Sequence, residues 1–204
     1  MSGAPRGPAA SSTAPTASAV NLANALTLVR FVLVPVFAIA LFVDDGHDHG
    51  WRIVACAIFA AASLTDRVDG DLARRRGTVT EFGKLADPLA DKALTGAALV
   101  SLSVLNLLPW WVTVVILGRE IAVTGLRLWV IRHGVLPASR GGKWKTFVQA
   151  IAIGLYLLPL HGRPHLLAVT VMAVAIVITI ATGIDYVSRA VTLHRTPRGG
   201  TTPA

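Results

Sequence analysis

Apolar residues run in long blocks along this chain, interrupted by short clusters of charged, glycine and proline residues. A helix that crosses a bilayer needs roughly 20 mostly apolar residues. The blocks fall at residues 26–43, 51–65, 85–108, 110–131, 144–160 and 166–187. They predict an all-α integral membrane protein with six transmembrane helices. Residues 106–109 leave so little chain between two blocks that the helices they join are expected to be antiparallel neighbours. Residues 1–20 are rich in Ala, Ser, Thr, Pro and Gly, with Arg6 as their only charged side chain, and read as a disordered tail rather than a cleaved leader. The helical domain is expected to span 21–193, with a short basic tail at 194–204.

Composition agrees with the blocks. The 204 residues are 53% hydrophobic and 15% charged, where a soluble domain carries about a quarter charged residues. The net charge of +8 could suit nucleic acid, but few aromatics interleave with the basic residues, so no nucleic-acid partner is expected. The basic side chains gather between the blocks instead. One set of connections holds Arg74, Arg75, Arg76 and Lys84, then Arg132, Arg140, Lys143 and Lys145, then Arg189, Arg195 and Arg198. The opposite set holds Asp44, Asp45, Asp48 and Arg163. The positive-inside rule therefore places both termini and the segment 66–91 at the cytosolic face of the cell membrane, where basic residues also meet anionic lipid. Cys56 is the only cysteine, which excludes an intrachain disulfide.

Segment 66–91 carries the chemistry. Asp66 and Asp69 are three apart, and Asp87 and Asp91 four apart, so each pair shares one helix face. Trp51 to Asp66 spans about 22 Å of helix against a hydrocarbon core of about 30 Å, which sets the first aspartates near the inner interface. Asp87–Pro88 reads as a helix start, with proline in the first turn. Four carboxylates brought together by antiparallel helices would repel one another unless a cation compensates them, and hard oxygen donors suit Mg²⁺, Mn²⁺ or Ca²⁺. Two such ions fit the ligand count and would clamp a phosphoryl group. Gly70, Ala73 and Gly83 either let a ligand approach the backbone or simply allow close helix packing. Arg74 is either a ligand contact or a topology arginine like Arg75 and Arg76.

The whole spacing, Asp66-x2-Asp69-Gly70-x2-Ala73-Arg74-x8-Gly83-x3-Asp87-x3-Asp91, resembles the signature of the CDP-alcohol phosphotransferase family without a gap or substitution. The resemblance implies a six-helix membrane enzyme, usually a homodimer, whose site opens to the cytosol and whose reaction displaces CMP from a CDP-linked lipid. Carried over, Asp66, Asp69, Asp87 and Asp91 would hold two Mg²⁺ or Mn²⁺ ions, and Asp91 would also be the catalytic base on the acceptor hydroxyl. Gly70, Ala73, Arg74 and Gly83 would line the CDP pocket.

Further segments are similar to the phosphatidylglycerophosphate synthase branch of that family. They are Asn24-Ala-Leu-Thr27-Leu-Val-Arg30 with Pro35, the stretch 79–84, Asp87-Pro-Leu-Ala-Asp91-Lys92, Gly118-Arg119-Glu120, and Gly142-Lys143-Trp144-Lys145-Thr146-x2-Gln149. That branch transfers a phosphatidyl group from CDP-diacylglycerol to sn-glycerol 3-phosphate, and by the same resemblance Asn24, Thr27 and Thr80 would be CDP-lipid contacts. Arg119 and Glu120 fall midway along an apolar block, where charge is costly and usually faces a bundle interior. Arg119, Arg127, Lys143 and Lys145 could form a basic wall for the acceptor's phosphate, or could neutralise structure and set topology.

Asp185 and Arg189, four apart, read as an ion pair, and His47 and His49 as a solvated loop. Rival readings are a cardiolipin synthase using phosphatidylglycerol, a phosphatidylinositol phosphate synthase and, from another class, a divalent-cation transporter. Transport sites lie near the midplane, often with repeat symmetry. Here the aspartates sit at one face.

Overall fold

The computed structural model describes the backbone of residues 17–76, 81–131 and 141–195, and the side chains of residues 28–65, 89–126 and 144–188. The fold is all-helical, with no strand among the described residues: α1 Ala17–Phe42, α2 His49–Arg76, α3 Glu81–Val104, α4 Trp110–Ile131, α5 Gly141–Leu157 and α6 Arg163–Arg195. Each apolar block corresponds to one helix.

The helix ends differ from the block ends in informative ways. α1 begins at Ala17, inside the stretch read as a tail, where two alanines lead into the apolar face. α2 continues beyond Thr65 to Arg76, so the first half of the aspartate signature is helical. Asp87–Pro88 is not a helix start. α3 begins at Glu81, which puts Pro88 in its second turn. Glu81, Lys84, Leu85 and Ala86 are good helix formers and extend the helix ahead of the proline. Pro88 forfeits one backbone bond, and burial of Ala90 and Leu94 just beyond it holds the helix in place. α6 runs to Arg195, past residue 193.

α1 packs on α2 and α3, α6 packs on α4 and α5, and contacts of α2 and α3 with α5 join the two groups. The core is built from Phe37 and Leu41 of α1, Phe59 of α2, Leu94, Leu99 and Leu102 of α3, Ile116 of α4, Ile153 and Leu157 of α5, and Met172 of α6. Phe37 and Phe59 meet with ring centroids 6.0 Å apart. Ala40, Ala55, Ala62, Ala98, Ala152, Ala168 and Ala175 are buried between the helices, the small-residue packing by which helix backbones approach closely in lipid.

Two turns fix the end of the bundle remote from the aspartates. Between α3 and α4, the amides of Leu107 and Leu108 both donate to the Leu102 carbonyl, at 2.9 and 3.1 Å, with Asn106 left-handed at φ +55°. The two helices are antiparallel neighbours in contact, as the short connection requires. Between α1 and α2, Asp44, Asp45 and Gly46 all take positive φ, and a Cβ on Gly46 would lie 2.8 Å from Leu105 Cδ1. Only glycine fits there. At the same end Arg52 of α2 donates to the carbonyls of Tyr156, Leu157 and Leu158 at 2.9, 3.1 and 3.1 Å, capping the C-terminus of α5.

Among the described residues one helix, over Arg163–Ser188, is long and apolar enough to cross a membrane, and His49–Thr65 is a shorter apolar helix. α3, α4 and α5 are interrupted by Asp91, Lys92, Arg119, Glu120 and Lys145. Leu28, Ile39, Ile53, Val114, Leu166, Val177 and Ile184 are each more than half exposed on the outside of the bundle. An apolar surface of that extent marks a membrane or interaction face.

Candidate active site

The charges that interrupt the apolar blocks converge. α3 presents Asp91, Lys92 and Thr95, α4 presents Glu120 and Thr124, and α5 presents Lys145, Thr146 and Gln149, to a cavity of about 520 Å³ completed by Leu89, Leu117, Ile121 and Gly125. On each helix these positions lie within one turn of each other, 91, 92 and 95 on α3, 120 and 124 on α4, and 145, 146 and 149 on α5, so one side of each helix supplies them.

Glu120 is the hub. The Lys145 ammonium pairs with Glu120 Oε1, and Arg119 Nη1 reaches the same oxygen at 3.3 Å. Arg119 does not line the cavity. Its side chain runs towards α6, where Nη2 donates to Thr182 Oγ1 at 2.9 Å. Gly183 admits it: a Cβ at that position would lie 3.2 Å from Arg119 Cγ. On the other flank the Lys92 ammonium donates to Thr124 Oγ1, and the Thr124 hydroxyl donates to the Glu120 backbone carbonyl at 2.7 Å. Asp91 lies within electrostatic reach of Lys145. Among the described residues, Lys92 and Lys145 line the cavity with Asp91 and Glu120, and Arg119 reaches Glu120 from behind the wall.

Of the residues singled out from the sequence, Asp91 and Lys145 line one cavity, and Arg119 reaches its wall through Glu120. Asp66, Asp69, Gly70, Ala73 and Arg74 lie on α2, Gly83 and Asp87 on the first turns of α3, Asn24 and Thr27 on α1, Arg127 on α4 and Lys143 on α5. Their side chains lie outside the described residues, and Thr80 lies outside them altogether. Glu120 is expected from the sequence to face the bundle interior and Lys92 is marked only beside Asp91, whereas the sequence gives Thr124 no role. Thr124 stands one turn beyond Glu120, which is the signal that could have found it; Gln149, part of the segment 142–149, stands one turn beyond Lys145.

A divalent cation fits this donor set. Carboxylate oxygens are hard ligands, each aspartate pair occupies one face of a continuous helix, and α2 and α3 pack together. No group of three His, Cys, Asp or Glu side chains gathers among the described residues, three of the four aspartate side chains lying outside them.

The chain as a whole is similar to known proteins. A family model described as CDP-alcohol phosphatidyltransferase matches residues 20–181. A probable phosphatidylglycerophosphate synthase of Mycobacterium tuberculosis is 64% identical over 170 residues, covering 83% of this chain and 81% of that protein. A CDP-diacylglycerol–glycerol-3-phosphate 3-phosphatidyltransferase of Bacillus subtilis is 40% identical over 184 residues, covering 83% of this chain and 94% of that protein. One of the same name from Haemophilus influenzae is 34% identical over 172 residues, covering 81% and 91%. The match runs through α1 to α6 and includes every residue of the aspartate signature, so the chain belongs to the CDP-alcohol phosphatidyltransferase family.

Proposed function

We propose that this protein transfers a phosphatidyl group from CDP-diacylglycerol to sn-glycerol 3-phosphate, giving phosphatidylglycerophosphate and CMP. The carrying observation is that Asp91, the last residue of the signature, shares one cavity with Lys145 and the Glu120 network. The phosphorus-activating end of the site and a cationic end suited to an acceptor phosphate are thereby adjacent. The names of the similar synthases support the same donor and acceptor.

Enzymes of this family are generally divalent-metal dependent. Here Asp66, Asp69, Asp87 and Asp91 would hold two ions, Mg²⁺ or Mn²⁺, supplying positive charge to the pyrophosphate. Asp91 takes the proton from the acceptor's sn-1 hydroxyl as its oxygen bonds to the phosphatidyl phosphorus and the bond to CMP breaks. A carboxylate is a weak base for an alcohol, so attack depends more on activation of the phosphorus. Gly70, Ala73, Arg74 and Gly83, with Asn24, Thr27 and Thr80, would bind the CDP moiety. Arg127, Lys143 and Lys145 would meet the acceptor phosphate, and Arg119 shares Glu120 with Lys145.

The same reading makes the chain a multi-pass protein of the cell membrane with six spans, both termini cytosolic and the site open to the cytosol. Support comes from the charge asymmetry of the connections, the exposed apolar faces, and the exposed Trp51, Trp110 and Trp111 at helix starts opposite the aspartates. The exposed faces also leave room for a homodimer in the bilayer. The test is purified protein with CDP-diacylglycerol, Mg²⁺ or Mn²⁺, and sn-glycerol 3-phosphate, phosphatidylglycerol or inositol phosphate in turn. Phosphatidylglycerophosphate is the expected product.

A further inference from the structure

Every charged side chain of the described cavity already has a partner within the protein, and one buried amide oxygen does not. Gln149 is 5% exposed and lines the cavity beside Lys145, yet its Oε1 has no hydrogen-bond partner among the described residues. A buried amide oxygen left unsatisfied is destabilising, and native proteins keep such groups where something else satisfies them. The side chain is neutral and carries both donors and an acceptor. Its terminal torsion is broad, so rotation presents either end of the amide to the cavity. An amide of that kind suits a hydroxyl, which also donates and accepts, better than it suits a phosphate, for which Lys145 and its neighbours are the match.

We propose that Gln149 is a specificity-determining residue that hydrogen-bonds the non-reacting 2-hydroxyl of the acceptor. This rests on the reading of sn-glycerol 3-phosphate as acceptor. With the phosphate at the cationic wall and the sn-1 hydroxyl at Asp91, the 2-hydroxyl is the remaining polar group of that molecule. Gln149 is the buried polar side chain of the cavity whose oxygen lacks a partner among the described residues. A site built to bond a hydroxyl rejects the analogue lacking it, because its own buried polar group is then left unpaired.

The test uses full-length protein in detergent or lipid vesicles with CDP-diacylglycerol, comparing sn-glycerol 3-phosphate with propane-1,3-diol monophosphate, which keeps the phosphate and the reacting hydroxyl but lacks the 2-hydroxyl. Wild-type protein is expected to prefer glycerol phosphate in kcat/KM by about tenfold or more, the worth of one hydrogen bond of about 1.4 kcal/mol. Q149M should lose most of that preference with the KM for CDP-diacylglycerol unchanged. If Q149M does not fold, Q149N serves, with the preference expected to shrink because the shorter amide sits away from the hydroxyl. Undiminished preference in the folded variant, or wild-type protein that uses both acceptors equally, overturns the role of Gln149. Wild-type protein that transfers to neither compound but does transfer to phosphatidylglycerol or inositol phosphate overturns instead the acceptor reading beneath it.

Discussion

Lys145 of α5 pairs with Glu120 of α4, and the same carboxylate oxygen receives Arg119, so one acidic side chain holds two cations at the edge of the cavity. The Arg119 guanidinium is in turn tied to Thr182 on α6. Position 120 therefore governs where the positive charge of the site points.

Replacing Glu120 with Gln leaves Lys145 and Arg119 without their shared counter-charge. We expect the glycerol 3-phosphate KM to rise and the protein to lose about 2 kcal/mol of stability. Steady-state kinetics together with thermal unfolding in detergent check both effects. Unchanged kinetics would mean that Lys145 is positioned without Glu120.

Asp91→Asn tests the base. The substitution keeps the shape and removes the proton acceptor, and turnover should fall by about 10²–10⁴ while the melting temperature holds. Activity close to wild type in a folded D91N protein would rule Asp91 out as the base.

Gly183 is where α6 admits the Arg119 side chain, a Cβ there lying 3.2 Å from Arg119 Cγ. Gly183→Val should push Arg119 away from Thr182 and Glu120 and cost about 1–3 kcal/mol by overpacking. The kinetic defect should resemble that of Arg119→Ala, raising the acceptor KM more than that for CDP-diacylglycerol. A variant with wild-type kinetics and stability would show that α6 yields freely at this point.

Arg52 provides the contrast. It caps α5 through three carbonyls at the end of the bundle remote from the aspartates. Arg52→Leu should lower stability by about 2–3 kcal/mol, since three charge-assisted bonds vanish together. Both KM values should stay put in the protein that remains folded, as measured by denaturation and initial rates side by side.

The number and order of the helices were legible because the apolar blocks and their charged breaks repeat along one dimension. Asp91, marked by its spacing, and Lys145, marked by the resemblance of segment 142–149, line one cavity. The start of α3 was misread because Pro88 is a strong local signal for a first turn, while burial of Ala90 and Leu94 against other helices is not a local property. The tie of Arg119 to Thr182, the cap by Arg52 on α5 and the buried amide of Gln149 join positions far apart in the chain. Nothing in one helix announces its partner in another.

The most direct measurement is CMP release by purified protein supplied with CDP-diacylglycerol, a divalent cation and one acceptor at a time, with the lipid product identified by mass. CMP and phosphatidylglycerophosphate should form in equal amounts with sn-glycerol 3-phosphate, cease when a chelator is added, and return with Mg²⁺ or Mn²⁺. Product formed only with phosphatidylglycerol or inositol phosphate, or cation flux into proteoliposomes without CMP release, would contradict the assignment.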